Sequence, residues 1–142
     1  MIDGSRLRLI DTGGGQPVVL IHGTGASMYN WRYTLPPLVA AGYRVIAFDN
    51  RGFGFSDQPA HGYHNADYVR LVVALLDSLG ISSAVLVGHS MGGTIAADVA
   101  LTHPDRVRGL VLIDAAGYGM GWPGVLTVAR WPFVGGIAKG LR

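Results

Sequence analysis

The sequence predicts an α/β fold, a mostly parallel sheet with helices on both faces. Three observations point there. Apolar strand-type runs alternate with helix-type segments along most of the chain. Apolar residues make up 49% of the 142 residues and charged residues 14%, a balance suited to strands buried on both faces. Several residues able to do chemistry fall just after the strand-type runs, where open parallel sheets carry their sites.

Taken in order, Arg6 to Asp11 alternates polar and apolar residues, the pattern of a half-exposed strand. Thr12-Gly13-Gly14-Gly15 reads as a turn, and Val18 to Ile21 as the next strand. A helix is expected from Trp31 to Ala41, with Gly42 as its stop. Arg44 to Phe48 is again strand-type. Asn65 or Asp67 can cap a helix that runs to Leu79 and ends at Gly80. Its Val69, Val72, Val73, Leu76 and Leu79 recur at helical spacing and mark a buried face. Ala84 to Val87 is expected as a strand, and Met91 to Thr102 as a helix stopped by Pro104. The small Ala96, Ala97 and Ala100 let that helix pack closely on a sheet. Arg108 to Ile113 is the last expected strand, ending at Asp114. Alternation of this kind implies right-handed crossovers. It sets His22-Gly23, Asp49, Ser90 and Asp114 at strand ends on one edge of the sheet.

The strongest motif is Ala84-Val85-Leu86-Val87-Gly88-His89-Ser90-Met91-Gly92-Gly93, a Gly-x-Ser-x-Gly set between strand and helix. There Ser90 reads as a nucleophile on a sharp, strained turn, and side chains at Gly88 and Gly92 would clash with chain close by. Met91 opens the helix, so its N–H can point at a developing oxyanion with help from the helix dipole. Taken alone, the motif leaves a plain tight turn open as the alternative. Two further segments bear on that choice. One is Pro17-Val18-Val19-Leu20-Ile21-His22-Gly23-Thr24-Gly25. The other is Tyr43 to Asp49, continued by Asn50-Arg51-Gly52-Phe53-Gly54-Phe55-Ser56-Asp57.

With these three segments the chain resembles the α/β-hydrolase family. His-Gly-x-Gly, Asp-x-Arg-Gly-x-Gly-x-Ser and Gly-His-Ser-Met-Gly-Gly stand in the family's order and approximate spacing, and the resemblance runs from about Asp3 to about Gly119. It implies the α/β-hydrolase fold and a serine hydrolase of the esterase type. That chemistry acts on an ester, or on a carbon–carbon bond next to a carbonyl, in a small-molecule substrate, with no metal and no organic cofactor. It implies Thr24 as the second oxyanion donor, with Gly23 and Gly25 keeping that loop open. It also implies that His22 and His89 shape loops and are not the general base. Asp49 is expected to hold backbone N–H groups, and Arg51 and Asp57 to form a structural ion pair. His61 and His64 read as loop polarity, and His103 as a partner of the last helix carbonyls.

The triad order in this family is serine, acid, histidine. After Ser90 the acids are Asp98, Asp105 and Asp114, and the one histidine is His103. Asp98 lies inside the helix and Asp105 beyond its far end. Asp114 is the candidate acid, because some family members place it after this strand. A twelve-residue helix spans about 18 Å, so His103 cannot reach Ser90 within its own chain. The chain is therefore expected to be the N-terminal part of a larger hydrolase, with the fold truncated before its last strands. Residues 1–119 would be the first part of the core and residues 120–142, with Trp122-Pro123-Gly124, the start of a cap. The missing part, or another chain, would complete the site.

Composition narrows the alternatives. The formal net charge is +2, and the eleven basic residues are scattered, so no stripe suited to nucleic acid is present. Cysteine is absent, which excludes disulfides and thiolate metal sites. Met1-Ile2-Asp3-Gly4-Ser5-Arg6 has no apolar h-region, and Pro123, Arg130 and Pro132 break the C-terminal apolar stretch, so neither a signal peptide nor a membrane span is expected. The expected location is cytoplasmic. Two other functions stay in view. One is a hydrolase-like module that binds a ligand or partner without catalysis. The other is a dinucleotide-binding domain built on Gly23-Thr24-Gly25 and Asp49, although Met28 stands where that fingerprint needs Gly or Ala.

Overall fold

A computed structural model describes residues 1–117. The expected cap at residues 120–142 lies outside the described residues. Five strands make one sheet: β1 (Leu9–Gly13), β2 (Pro17–Ile21), β3 (Arg44–Phe48), β4 (Ala84–His89) and β5 (Val107–Ile113). Their spatial order is β1-β3-β2-β4-β5. β1 runs antiparallel to β3, and the other neighbours are parallel. Among the described residues three α-helices accompany them: α1 (Leu35–Ala40), α2 (Asn65–Ser78) and α3 (Met91–Thr102). The chain leaves β2 for β3 on one side, then crosses to β4 on the other. The C-terminal ends of β2 and β4 thus flank the reversal of winding, where open α/β sheets form a crevice.

Strand alternation sorts the core into two layers. Val18, Leu20, Val45, Ala47 and Val87 meet Trp31, with Leu35 and Leu38 of α1 packed against them. Val19, Ile21, Ile46, Phe48 and Leu86 face the other way, onto Leu71, Val72, Leu75 and Leu76 of α2 and Ile95, Ala96 and Val99 of α3. Each fully buried aliphatic or aromatic side chain contributes about 1.5–3 kcal/mol. Helices therefore cover both faces, as the composition implies.

Three elements differ from the sequence reading. The helix expected from Trp31 splits into a 3-10 turn at Met28–Trp31 and a short α1 from Leu35. Pro36 and Pro37 have no N–H to donate and fit only in a first helical turn, so the helix starts at them. The first strand is shifted to Leu9–Gly13. Arg6 N–H donates instead to the Asp57 carboxylate (2.9 Å) and Arg8 N–H to the Ser56 hydroxyl (2.9 Å), which ties residues 6–8 to a loop. Helix α2 is capped by His64, whose N–H donates to the Asp67 carboxylate at 2.8 Å. Asp67 thus serves the cap from the third helical position, as a capping box does.

Candidate active site

Ser90 joins β4 to α3 at φ 53°, ψ −120°. An L-residue rarely adopts that backbone conformation, which costs about 1–3 kcal/mol and persists only where surroundings enforce it. The enforcement is visible. Ser90 N–H donates to the Ile113 carbonyl (3.0 Å), and the Ser90 carbonyl accepts from the Gly93 (2.9 Å) and Ala116 (3.1 Å) N–H groups. Close approach explains the flanking glycines. A Cβ on Gly88 would overlap the Gly92 carbonyl, and one on Gly92 would overlap the carbonyl of Ile21, at the end of β2. The two glycines let α3 start directly against the ends of β2 and β4.

Met91 is the first residue of α3, so its N–H has no acceptor inside the helix. Across from it runs the loop that leaves β2. Gly23 sits so close that a Cβ there would lie 2.9 Å from the Ser90 Cβ. Thr24 follows, and its hydroxyl donates to the Met91 sulfur at 3.4 Å. Ser90, Met91, Gly23 and Thr24 therefore share one small region at the crevice.

That loop is held from below by buried polar groups. His22 is fully buried. Asn50 N–H donates to its Nε2 at 2.9 Å, which makes Nε2 the acceptor and leaves the ring proton on Nδ1. Nδ1 in turn donates to the Gly23 carbonyl at 2.8 Å. The Asn50 side-chain amide also donates to the His22 carbonyl, at 3.2 Å. Burial pushes the His22 pKa below its ordinary value, against smaller opposing effects of the Gly23 carbonyl and the Asp49 charge. With both nitrogens engaged and the ring neutral, His22 braces the loop. Asp49, 1% exposed, fastens the loop's other end: Oδ1 accepts from Met28 N–H (2.7 Å) and Oδ2 from Phe55 N–H (2.9 Å).

Other candidates lie elsewhere. The Arg51–Asp57 pair does not form. Arg51 pairs with Asp3 at 2.8 Å and Asp57 with Arg6 at 3.1 Å, because Arg51 turns inward to the Ser5 hydroxyl while Asp57 stays near the surface. His103 sits at the far end of α3, with Nδ1 2.9 Å from the Thr102 hydroxyl and not on the helix carbonyls. His89 has a buried Nδ1 without a partner among the described residues. Asp114 follows directly after β5, at φ 44° and with an exposed side chain. The sequence reading quoted Asn50 only as part of its motif and gave it no role; its two contacts with His22 supply one. Among the described residues no cluster of His, Cys, Asp and Glu could hold a metal ion, and no helix is long and apolar enough to cross a membrane. The dinucleotide fingerprint needs a helix opening at its glycine loop, whereas α1 begins at Leu35, ten residues after Gly25.

A family profile for the alpha/beta hydrolase fold matches residues 16–134. The chain belongs to the α/β-hydrolase family. It is 48% identical over 118 residues to the 2-hydroxymuconate semialdehyde hydrolase of Pseudomonas sp. strain CF600, covering 80% of this chain and 41% of that relative. It is 44% identical over 115 residues to epoxide hydrolase B of Mycobacterium tuberculosis, covering 78% of this chain and 32% of the relative. Among solved structures, an esterase from Exiguobacterium antarcticum superposes with a TM-score of 0.77 at 38% identity, over 81% of this chain and 43% of that one. A meta-cleavage product hydrolase from Pseudomonas fluorescens IP01 gives 0.78 at 42% identity, over 82% and 44%. The chain thus spans less than half the length of these relatives.

Proposed function

We propose that this chain carries the nucleophile and oxyanion hole of a serine hydrolase that cleaves an ester or a carbon–carbon bond next to a carbonyl. The observation that carries this is Ser90 at φ 53°, at the head of α3. In the proposed reaction Ser90 Oγ attacks the substrate carbonyl carbon and its proton passes to a histidine base. The carbonyl oxygen becomes an oxyanion, held by the N–H groups of Met91 and Thr24. The leaving group departs with the proton, and water then releases the acyl group from Ser90 by the same route. The triad order of the family asks for a histidine after Ser90, and His103 is the one that follows it in this chain. His22 has both nitrogens occupied, and His103 lies at the wrong end of α3. The base is therefore proposed to come from outside these 142 residues.

The relatives named as hydrolases and esterases support this reading, and Ser90 at the elbow favours acyl chemistry over epoxide opening. A test is to incubate the chain with p-nitrophenyl acetate and imidazole as a surrogate base, then map acetyl groups by peptide mass spectrometry. Acetyl on Ser90, absent from Ser90→Ala, is expected. Acetyl confined to other residues would overturn the assignment. A non-catalytic, ligand-binding module is the second reading, and the placement of His103 at the far end of α3 favours it. It predicts ligand binding without any adduct on Ser90.

A further inference from the structure

Thr94 stands in the first turn of α3, and the proposed chemistry leaves it unused. A threonine inside a helix ordinarily donates its hydroxyl to the carbonyl four residues back. For Thr94 that carbonyl belongs to Ser90. The hydroxyl goes elsewhere: it donates to the Ala116 carbonyl, 22 positions along the chain. The Ser90 carbonyl takes the main-chain N–H of Thr94 (3.3 Å) and that of Ala116 (3.1 Å). Both main-chain polar groups of Ala116 are thus bound to the head of α3. The bonds close a ring that runs from Thr94 to Ala116, to Ser90 and back to Thr94.

The segment that follows β5 reaches α3 without helix or strand of its own. It turns at Asp114, which sits at φ 44°. Ala115 then lies so near Gly93 that a Cβ on Gly93 would come within 2.6 Å of its own. From there the segment grips Ser90 on both sides. The Ile113 carbonyl accepts the Ser90 N–H at 3.0 Å, and Ala116 N–H donates to the Ser90 carbonyl. The Thr94 hydroxyl fastens this segment through a side chain, so it can be removed without altering the main chain.

We propose that Thr94 is a positioning residue for Ser90: its hydroxyl clasps Ala116, and Ala116 helps to hold Ser90 at φ 53°. The inference rests on Ser90 being the proposed nucleophile. A strained backbone persists only where its surroundings enforce it. Without the clasp, a larger share of molecules relaxes at Ser90 and carries Oγ away from its reacting position. Misplacement of a reacting atom costs rate even where the fold survives.

The test treats the full chain with a fluorophosphonate and imidazole and follows Ser90 labelling by peptide mass spectrometry. Rates are divided by the folded fraction from urea unfolding. Thr94→Val keeps the side-chain shape and removes the donor, whereas Thr94→Ser keeps the donor. Hydrogen exchange at the Ala116 amide, read by nuclear magnetic resonance, reports on the clasp independently of Ser90 chemistry. A neutral hydrogen bond shifts such an equilibrium by about twofold to tenfold. Thr94→Val should therefore label Ser90 slower by about that factor per folded molecule, and its Ala116 amide should exchange faster. Thr94→Ser should restore both. Thr94→Ala also lacks the hydroxyl, should behave as Thr94→Val does, and replaces it if that variant does not fold. A threonine with a merely structural role would change stability but not labelling per folded molecule. Labelling of Thr94→Val at the unmodified rate overturns the proposal. So does unchanged Ala116 exchange, or a Thr94→Ser variant no faster than Thr94→Val. Failure of Ser90 to label in the unmodified chain would remove the nucleophile, and the positioning role with it, whatever the Ala116 amide shows.

Discussion

Asp49→Asn isolates the bond set that supports the loop after β2, which bears the proposed oxyanion donor Thr24. The carboxylate accepts two backbone N–H groups, one oxygen each: Met28 at 2.7 Å and Phe55 at 2.9 Å. An amide has one acceptor oxygen. Whichever way it is turned, its NH2 must face a buried N–H. The substitution removes one hydrogen bond to a charged group, worth about 1.5–3 kcal/mol, and leaves a donor unsatisfied. The expected loss is about 2–3 kcal/mol. At about 4 °C per kcal/mol for a chain of this size, Tm should fall by about 8–12 °C. Urea unfolding followed by circular dichroism gives the free energy, and a thermal scan gives Tm. If the amide turns its oxygen to Phe55, Met28 is released and the loop bearing Thr24 loosens. Reactivity of Ser90 should then fall beyond what unfolding explains. A change under about 0.5 kcal/mol, no larger than an ordinary surface substitution gives, would refute the idea that Asp49 braces the loop.

Further outcomes follow from the same geometry. Ser90→Gly removes the proposed nucleophile but relieves a backbone strained at φ 53°, so the variant should be about 0.5–2 kcal/mol more stable in urea; a destabilised variant would contradict the strain. Burial lowers the His22 pKa, so above an ordinary histidine value near 6.5 the ring is neutral in both states and stability is at its full value. As pH falls through that value the unfolded chain takes up a proton that the folded chain does not. Stability should then drop by up to about 1.4 kcal/mol per pH unit, a slope that urea titrations at stepped pH would show and that His22→Gln would lack. Loss of the triad histidine costs a serine protease about six orders of magnitude in kcat, or about 8 kcal/mol, so the chain alone should turn over p-nitrophenyl acetate at background rates. Ordinary enzyme rates that vanish in Ser90→Ala would show that a base exists within these 142 residues.

The sequence made some elements legible from end to end. β3 (Arg44–Phe48) and α3 (Met91–Thr102) match their predicted bounds, because a buried apolar run and a Pro104 stop are local signals. What depended on distant partners was not legible. β1 moved because residues 6–8 hydrogen-bond to Ser56 and Asp57, some fifty positions away. Arg51 chose Asp3 over Asp57 for the same reason. The order β1-β3-β2-β4-β5 also lies beyond periodicity, yet it is what sets the β2 and β4 ends side by side. At the site, motif positions located Ser90, His22, Gly88 and Gly92 on one sheet edge. The bracing by Asn50 needed coordinates, since nothing local distinguishes its amide from surface polarity.

The most direct test of the elbow is selective modification. The chain is treated with a fluorophosphonate in the presence of imidazole, and every serine is followed by peptide mass spectrometry. The strained turn and the proposed oxyanion donors Met91 and Thr24 predict that Ser90 reacts well ahead of Ser5, Ser27, Ser56, Ser78, Ser82 and Ser83, and that Ser90→Ala removes the fast phase. Labelling spread evenly over the serines, or unchanged in Ser90→Ala, would contradict Ser90 as the nucleophile.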